Sequence, residues 1–166
     1  MLSILQDIET TPVSIRFLRE KTKTRVLVYK DLQKYTRSNL FSTNKSVIVL
    51  IPHKLMKKGH FICLTKYGSE IEYFSSLGGS PHDELVKLKQ EDNQMSRILG
   101  SKYIYNRTKL QSTSNYNINT CGAYCLARVK LNNLQLKNFN KLFTRSLNLQ
   151  NPDLIVSILA LLHFVD

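Results

Sequence analysis

The segment from Ser46 to Ile51 is β-branched and almost wholly apolar, and Pro52 closes it, a pattern that predicts a buried strand. Two further apolar segments follow, His60 to Thr65 and Glu70 to Phe74, and Tyr67-Gly68-Ser69 between them predicts a hairpin turn. Upstream the pattern is shorter-ranged. It predicts a short helix over Ser3–Ile8, a strand over Arg25–Tyr29 and a second short helix over Lys30–Tyr35. Leu77-Gly78-Gly79 breaks the strand pattern. Ser80 then caps a helix with Pro81 in its first turn, Asp83 closes a capping box, and the helix runs through Leu85, Val86 and Leu88. Lys102 to Lys109 predicts another strand, and Gln111 to Asn119 a polar loop. Three helices finish the chain: Cys121–Val129, Leu134–Phe143 and Pro152–Phe164, the last capped by Asn151. Four or five strands with helices at both ends predict an α+β fold.

At 166 residues the expectation is a single domain over 1–166, with 42% hydrophobic and 22% charged residues fitting a soluble globular protein. Net charge changes the picture more. At +12 the chain favours contact with polyanions such as DNA, although no nucleic-acid-binding signature accompanies the charge, and a solvated basic surface accounts for it equally. The odd cysteine count (Cys63, Cys121, Cys125) and the absence of a signal-peptide pattern predict a reducing compartment. The cysteines and histidines form no zinc pattern, and the reading calls for no metal or cofactor. Leu154 to Val165, interrupted by Ser157 and His163, is too short to cross a bilayer and reads as a buried helix, with no membrane partner.

Candidate chemistry concentrates on Cys121, which opens a helix, and His60, which opens a strand after Gly59 and a basic loop. The thiolate is the nucleophilic form of cysteine, a helix N-terminus favours negative charge, and an imidazole can take the proton. Asn119 and Thr120 suit a helix cap. Gly122 would let a substrate backbone approach and leave local amides to hold an oxyanion. Cys125, inside the helix, reads as structural, and His53, His82 and His163 lack a comparable partner.

Four segments taken in order carry a resemblance: Gly59-His60-Phe61, Tyr73 to Gly78 (YFSSLG), Leu110-Gln111-Ser112 and Asn119 to Cys125 (NTCGAYC). They resemble the adenain-type cysteine proteases, the adenovirus maturation protease and its relatives in virophages and Maverick/Polinton elements. The likeness spans roughly 46–130. It implies a papain-like α+β fold with a mixed, mostly antiparallel central sheet and the nucleophile at the head of the central helix. It also implies an endopeptidase that cleaves capsid or core precursors during virion maturation. Its setting would be the virion and the viral factory in cytoplasm or nucleus. Packaged DNA would be a non-specific partner, and the resemblance leaves room for a peptide activator.

The same resemblance makes His60 and Cys121 the catalytic pair and gives Gln111 the oxyanion. Nine residues separate Gln111 from Cys121, so either the intervening segment bulges outward or Asn115 takes the donor position. The family places Asp or Glu where this chain has Ser75, whose hydroxyl orients His60 without supplying charge. Glu72 points to the opposite strand face, and Asp83 or Glu84 reaches the site only if the loop after Gly79 folds back. Two other functions stay open: removal of ubiquitin-like modifiers by the same fold, and a non-catalytic basic nucleic-acid-binding protein.

Overall fold

Both faces of the central strands are covered, which is why their sequences run apolar without alternation. The computed structural model describes residues 13–112, 119–144 and 151–162. Among these, α1 (Ile15–Thr22) leads into β1 (Arg25–Val28), a 3₁₀ helix (Tyr29–Lys34), α2 (Arg37–Leu40), β2 (Ser46–Pro52), β3 (Gly59–Tyr67) and β4 (Glu70–Phe74). Then come α3 (Pro81–Lys87), α4 (Asn93–Leu99), β5 (Tyr103–Tyr105), α5 (Cys121–Lys130), α6 (Leu136–Thr144) and α7 (Pro152–Leu162). The strands form one mixed sheet in the order β1-β2-β3-β4-β5. Pairing is antiparallel at its centre, β2 with β3 and β3 with β4, and parallel at both edges.

One sheet face, with Ile48, Phe61, Cys63 and Phe74, packs against α5, α6 and α7 through Tyr124, Leu126, Phe139 and Val156. The other, with Val47, Val49, Ile62, Leu64 and Tyr73, packs against α3 and α4 through Leu85, Met95 and Ile98. Each of these buried aliphatic side chains contributes about 1.5–3 kcal/mol of transfer free energy. Among the described residues no helix is long and apolar enough to cross a membrane.

The hairpin, the Ser80-capped helix and the Asn151 cap all form as expected, the Ser80 Oγ accepting from the Asp83 amide at 3.2 Å. The expected helix over Ser3–Ile8 lies outside the described residues. Three helices go beyond the sequence expectation, α1, α2 and α4; α2 is a single turn whose start is marked by the Thr36 hydroxyl accepting from the Asn39 amide. In α1 only Leu18 is buried, so an amphipathic face is hard to read, and the start is marked by Ser14 accepting from the Phe17 amide. In α4, Met95, Ile98 and Leu99 do carry helical spacing, but no side chain caps its start. The strand expected to run to Lys109 stops at Tyr105. Asn106 ends it by bonding its own Oδ1 to the Thr108 amide at 2.9 Å, a local turn that competes with the ladder.

Candidate active site

Cys121 opens α5, which lies against β3 on the sheet face described above. The Thr120 hydroxyl does not cap this helix, contrary to expectation. It donates instead to Asp153 Oδ1 at 2.5 Å, while the other Asp153 oxygen accepts from the Ser112 amide at 2.8 Å. Asp153 therefore ties together the two ends of the segment joining Gln111 to Cys121. Asn115 lies outside the described residues, whereas Gln111 stands with Cys121 in one cleft. Truncating Asp153 to alanine should cost about 1–3 kcal/mol in a denaturant titration, because the buried Thr120 hydroxyl loses its acceptor. An unchanged midpoint would show that the tie is dispensable.

Around the thiol, the amides of Phe61, Cys121 and Gly122 hydrogen-bond the sulfur and lower its pKa, but burial outweighs them and pushes it up. Gly122 owes its identity to packing rather than to substrate access. A Cβ there would sit 2.9 Å from the Val13 Cβ and 3.4 Å from the Phe61 ring.

His60 enters from the start of β3, opposite Ile51 in β2. It is 6% exposed and, like Cys121, lines a cleft of about 750 Å³ whose rim carries Lys57 and Lys58. Its Nε2 lies 2.9 Å from Ser75 Oγ, a direct contact. Burial drives the His60 pKa down to about 4, so the ring is neutral at pH 7 and able to accept a proton. In the unfolded chain the same ring titrates near 6.5. Between these values the unfolded state binds more protons, so stability falls as pH drops from about 6.5 to about 4, on the order of 3 kcal/mol from this group. Glu84, raised by burial, acts in the opposite sense and reduces the net loss. Denaturant titrations at pH 7 and pH 5 should show a steeper acid loss for the native chain than for His60→Asn. Equal slopes would refute a buried neutral His60.

Gln111 is held by Ser76, whose hydroxyl donates to Gln111 Oε1 at 2.8 Å and whose carbonyl accepts from the Gln111 amide at 3.0 Å. The side chain is thereby oriented with its carbonyl end on Ser76. The Ser75 carbonyl accepts from Asn106 Nδ2 at 2.7 Å, which anchors the end of β4 beneath His60.

The chain after Ser75 does fold back. Gly78 has φ +71°, and a Cβ there would meet the Lys109 nitrogen at 2.7 Å, so no other residue fits the bend without backbone movement. Gly78→Ala is expected to cost at least about 1–3 kcal/mol in thermal or denaturant unfolding, and a neutral result would mean that the bend relaxes freely. The reversal starts α3 close to β4 and buries Glu84, 2% exposed, with Oε2 4.0 Å from His60 Nε2. Glu84 accepts from the Tyr73 hydroxyl at 2.6 Å and the Gly79 amide at 3.3 Å, and it hydrogen-bonds Ser75. Asp83, by contrast, is spent on the Ser80 cap. Glu72, as expected, faces away and pairs with Arg128. Glu84, which the sequence admits only if the chain folds back, and Asp153, which no local pattern marks, are the further residues that form the site. The available signal for Glu84 is a glycine pair before a capped helix.

No family model matches the chain. Among solved structures it is similar to the ASFV pS273R protease, at 14% identity and a TM-score of 0.46, over 92% of this chain and 64% of that one. It is similar to the SUMO protease Ulp1 at 12% identity and a TM-score of 0.46, over 100% of this chain and 84% of that one. In sequence, it is 30% identical over 131 residues to the uncharacterized protein V9 of Sputnik virophage, covering 72% of this chain and 74% of V9. The chain belongs to the family of virophage protein V9.

Proposed function

We propose that the chain is a cysteine endopeptidase of the adenain type that cleaves capsid or core precursor polypeptides. The observation that carries this reading is one cleft lined by the Cys121 thiol, the His60 ring and Gln111, with the far nitrogen of the ring engaged by Ser75. Sulfur attacks the scissile carbonyl carbon while His60 takes the thiol proton. The oxyanion is held by the Gln111 side-chain amide and a backbone amide near Cys121, and His60 then protonates the departing amine. Water, deprotonated by His60, hydrolyses the resulting thioester and restores the thiol. Because burial raises the Cys121 thiol and lowers the His60 ring, the resting pair is neutral, and proton transfer accompanies attack. A basic cleft rim and a net charge of +12 support DNA as a non-specific platform.

Incubation with the capsid and core precursors of a virophage, read by mass spectrometry, tests the reading. The native chain should cut them, and Cys121→Ala should lower the rate by roughly 10⁴-fold. Undiminished cleavage by Cys121→Ala would refute it, and so would failure of the native chain to cut either precursors or a peptide library.

A further inference from the structure

We infer that Glu84 is the acidic member of this site, a positioning residue that acts on His60 through the Ser75 hydroxyl. The inference rests on the peptidase reading and supplies the negative charge that Ser75 itself lacks. Hydrogen-bond accounting at Ser75 carries it. A serine hydroxyl has one proton to give and two acceptor positions. The Leu77 amide occupies one acceptor position at 3.1 Å. Glu84 hydrogen-bonds the same hydroxyl, and an ionised carboxylate only accepts, so the serine proton points to Glu84. The remaining acceptor position faces His60 Nε2 at 2.9 Å and must receive an N–H. That sets the tautomer: Nε2 carries the hydrogen, and Nδ1 is the nitrogen able to take the Cys121 proton.

When Nδ1 accepts that proton, the ring becomes cationic with a Glu84 oxygen 4.0 Å from Nε2. No bond forms or breaks at Glu84, which only stabilises the charge that develops on the ring. Burial raises the Glu84 pKa, and three donors that converge on the carboxylate, the Ser75 and Tyr73 hydroxyls and the Gly79 amide, oppose that rise by bonding the ionised form. The charged and titratable groups that face Glu84 are Tyr73 on β4, His60 on β3, Lys87 on its own helix, and Cys121 and Cys125 on α5. Gly79 packs so closely that a Cβ would lie 3.0 Å from Glu84 Cγ, so the turn itself locks the side chain in place.

Iodoacetamide alkylation of Cys121 in the full chain, followed from below the native acid limb up to pH 9 by intact mass and peptide mapping, tests the inference without a substrate. Glu84→Gln should lower the neutral-pH rate about tenfold and move the acid limb to lower pH, because the imidazolium loses its carboxylate. Ser75→Ala should produce the same loss and shift, and the two changes combined should do no more than either alone. Adding Ser75→Asp to Glu84→Gln should restore the rate, since the carboxylate then contacts the ring directly. A purely structural role for Glu84 would lower the melting temperature, leave the acid limb in place and defeat the rescue. If Cys121 is reactive and Glu84→Gln keeps the native rate and limb, the inference is overturned while the peptidase reading stands. If Cys121 of the native chain reacts no faster than buried Cys63, the peptidase reading itself falls.

Discussion

Arg128→Ala should lower the stability of the folded chain by about 3–5 kcal/mol, the largest loss expected from any single truncation outside the aliphatic core. Arg128 is fully buried in α5, two turns after Cys121. Its guanidinium binds Glu72 in β4 through two bonds, Nε to Oε1 at 2.6 Å and Nη2 to Oε2 at 2.9 Å. The Leu131 and Leu134 carbonyls accept from it at 2.8 and 3.1 Å, and the Phe139 ring stacks 5.1 Å away. Truncation leaves the Glu72 carboxylate buried without its cation, which costs more than the pair contributed. Replacing both partners by methionine should recover most of the loss, since no charge is then stranded. Urea titrations of Arg128→Met, Glu72→Met and the double variant measure this. Additive losses would show that Arg128 acts through packing alone. Because Arg128 clamps the helix that Cys121 opens to the sheet, Arg128→Ala should also slow Cys121 alkylation more than its unfolded fraction explains.

His60→Ala should reduce peptide hydrolysis by roughly 10³-fold through kcat, with KM little changed, because general-base and general-acid help act on the chemical steps. The ring is buried and neutral, so its loss opens a small polar void behind the cleft rather than stranding a charge. Added imidazole should recover part of the rate if it enters that void. Activity within tenfold of the native chain would remove His60 from the mechanism. Together with Cys121→Ala, this variant separates a catalytic cleft from a merely basic one.

Much of this was legible in the residues. The apolar run at Ser46–Ile51, the hairpin at Tyr67–Ser69 and the caps at Ser80 and Asn151 each depend on local chemistry, and each forms where the pattern places it. His60 and Cys121 stood out because a strand start and a helix start are local features too. Where the structure departs from the local pattern, a residue distant in sequence is the cause. Thr120 has a capping side chain, but a buried carboxylate 33 positions away competes for its hydroxyl and wins. Gly122 looked like an opening for substrate, yet Val13 and Phe61 occupy the space where its Cβ would be.

The sequence by itself determined the α+β pattern, the basic character and the residue types able to make a thiolate, because periodicity, charge and caps act over a few positions. The company those residues keep was decided only by the tertiary structure. Ser75 marked the place where a carboxylate was expected and absent, and nothing within a few residues supplied one. The Gly78–Gly79 reversal brings Glu84 from the next helix to 4.0 Å from the imidazole, and Asp153 crosses from α7 to join Ser112 and Thr120. Both contacts need the whole sheet and its covering helices in place. Burial then sets the resting charges, favouring the protonated thiol and the neutral ring.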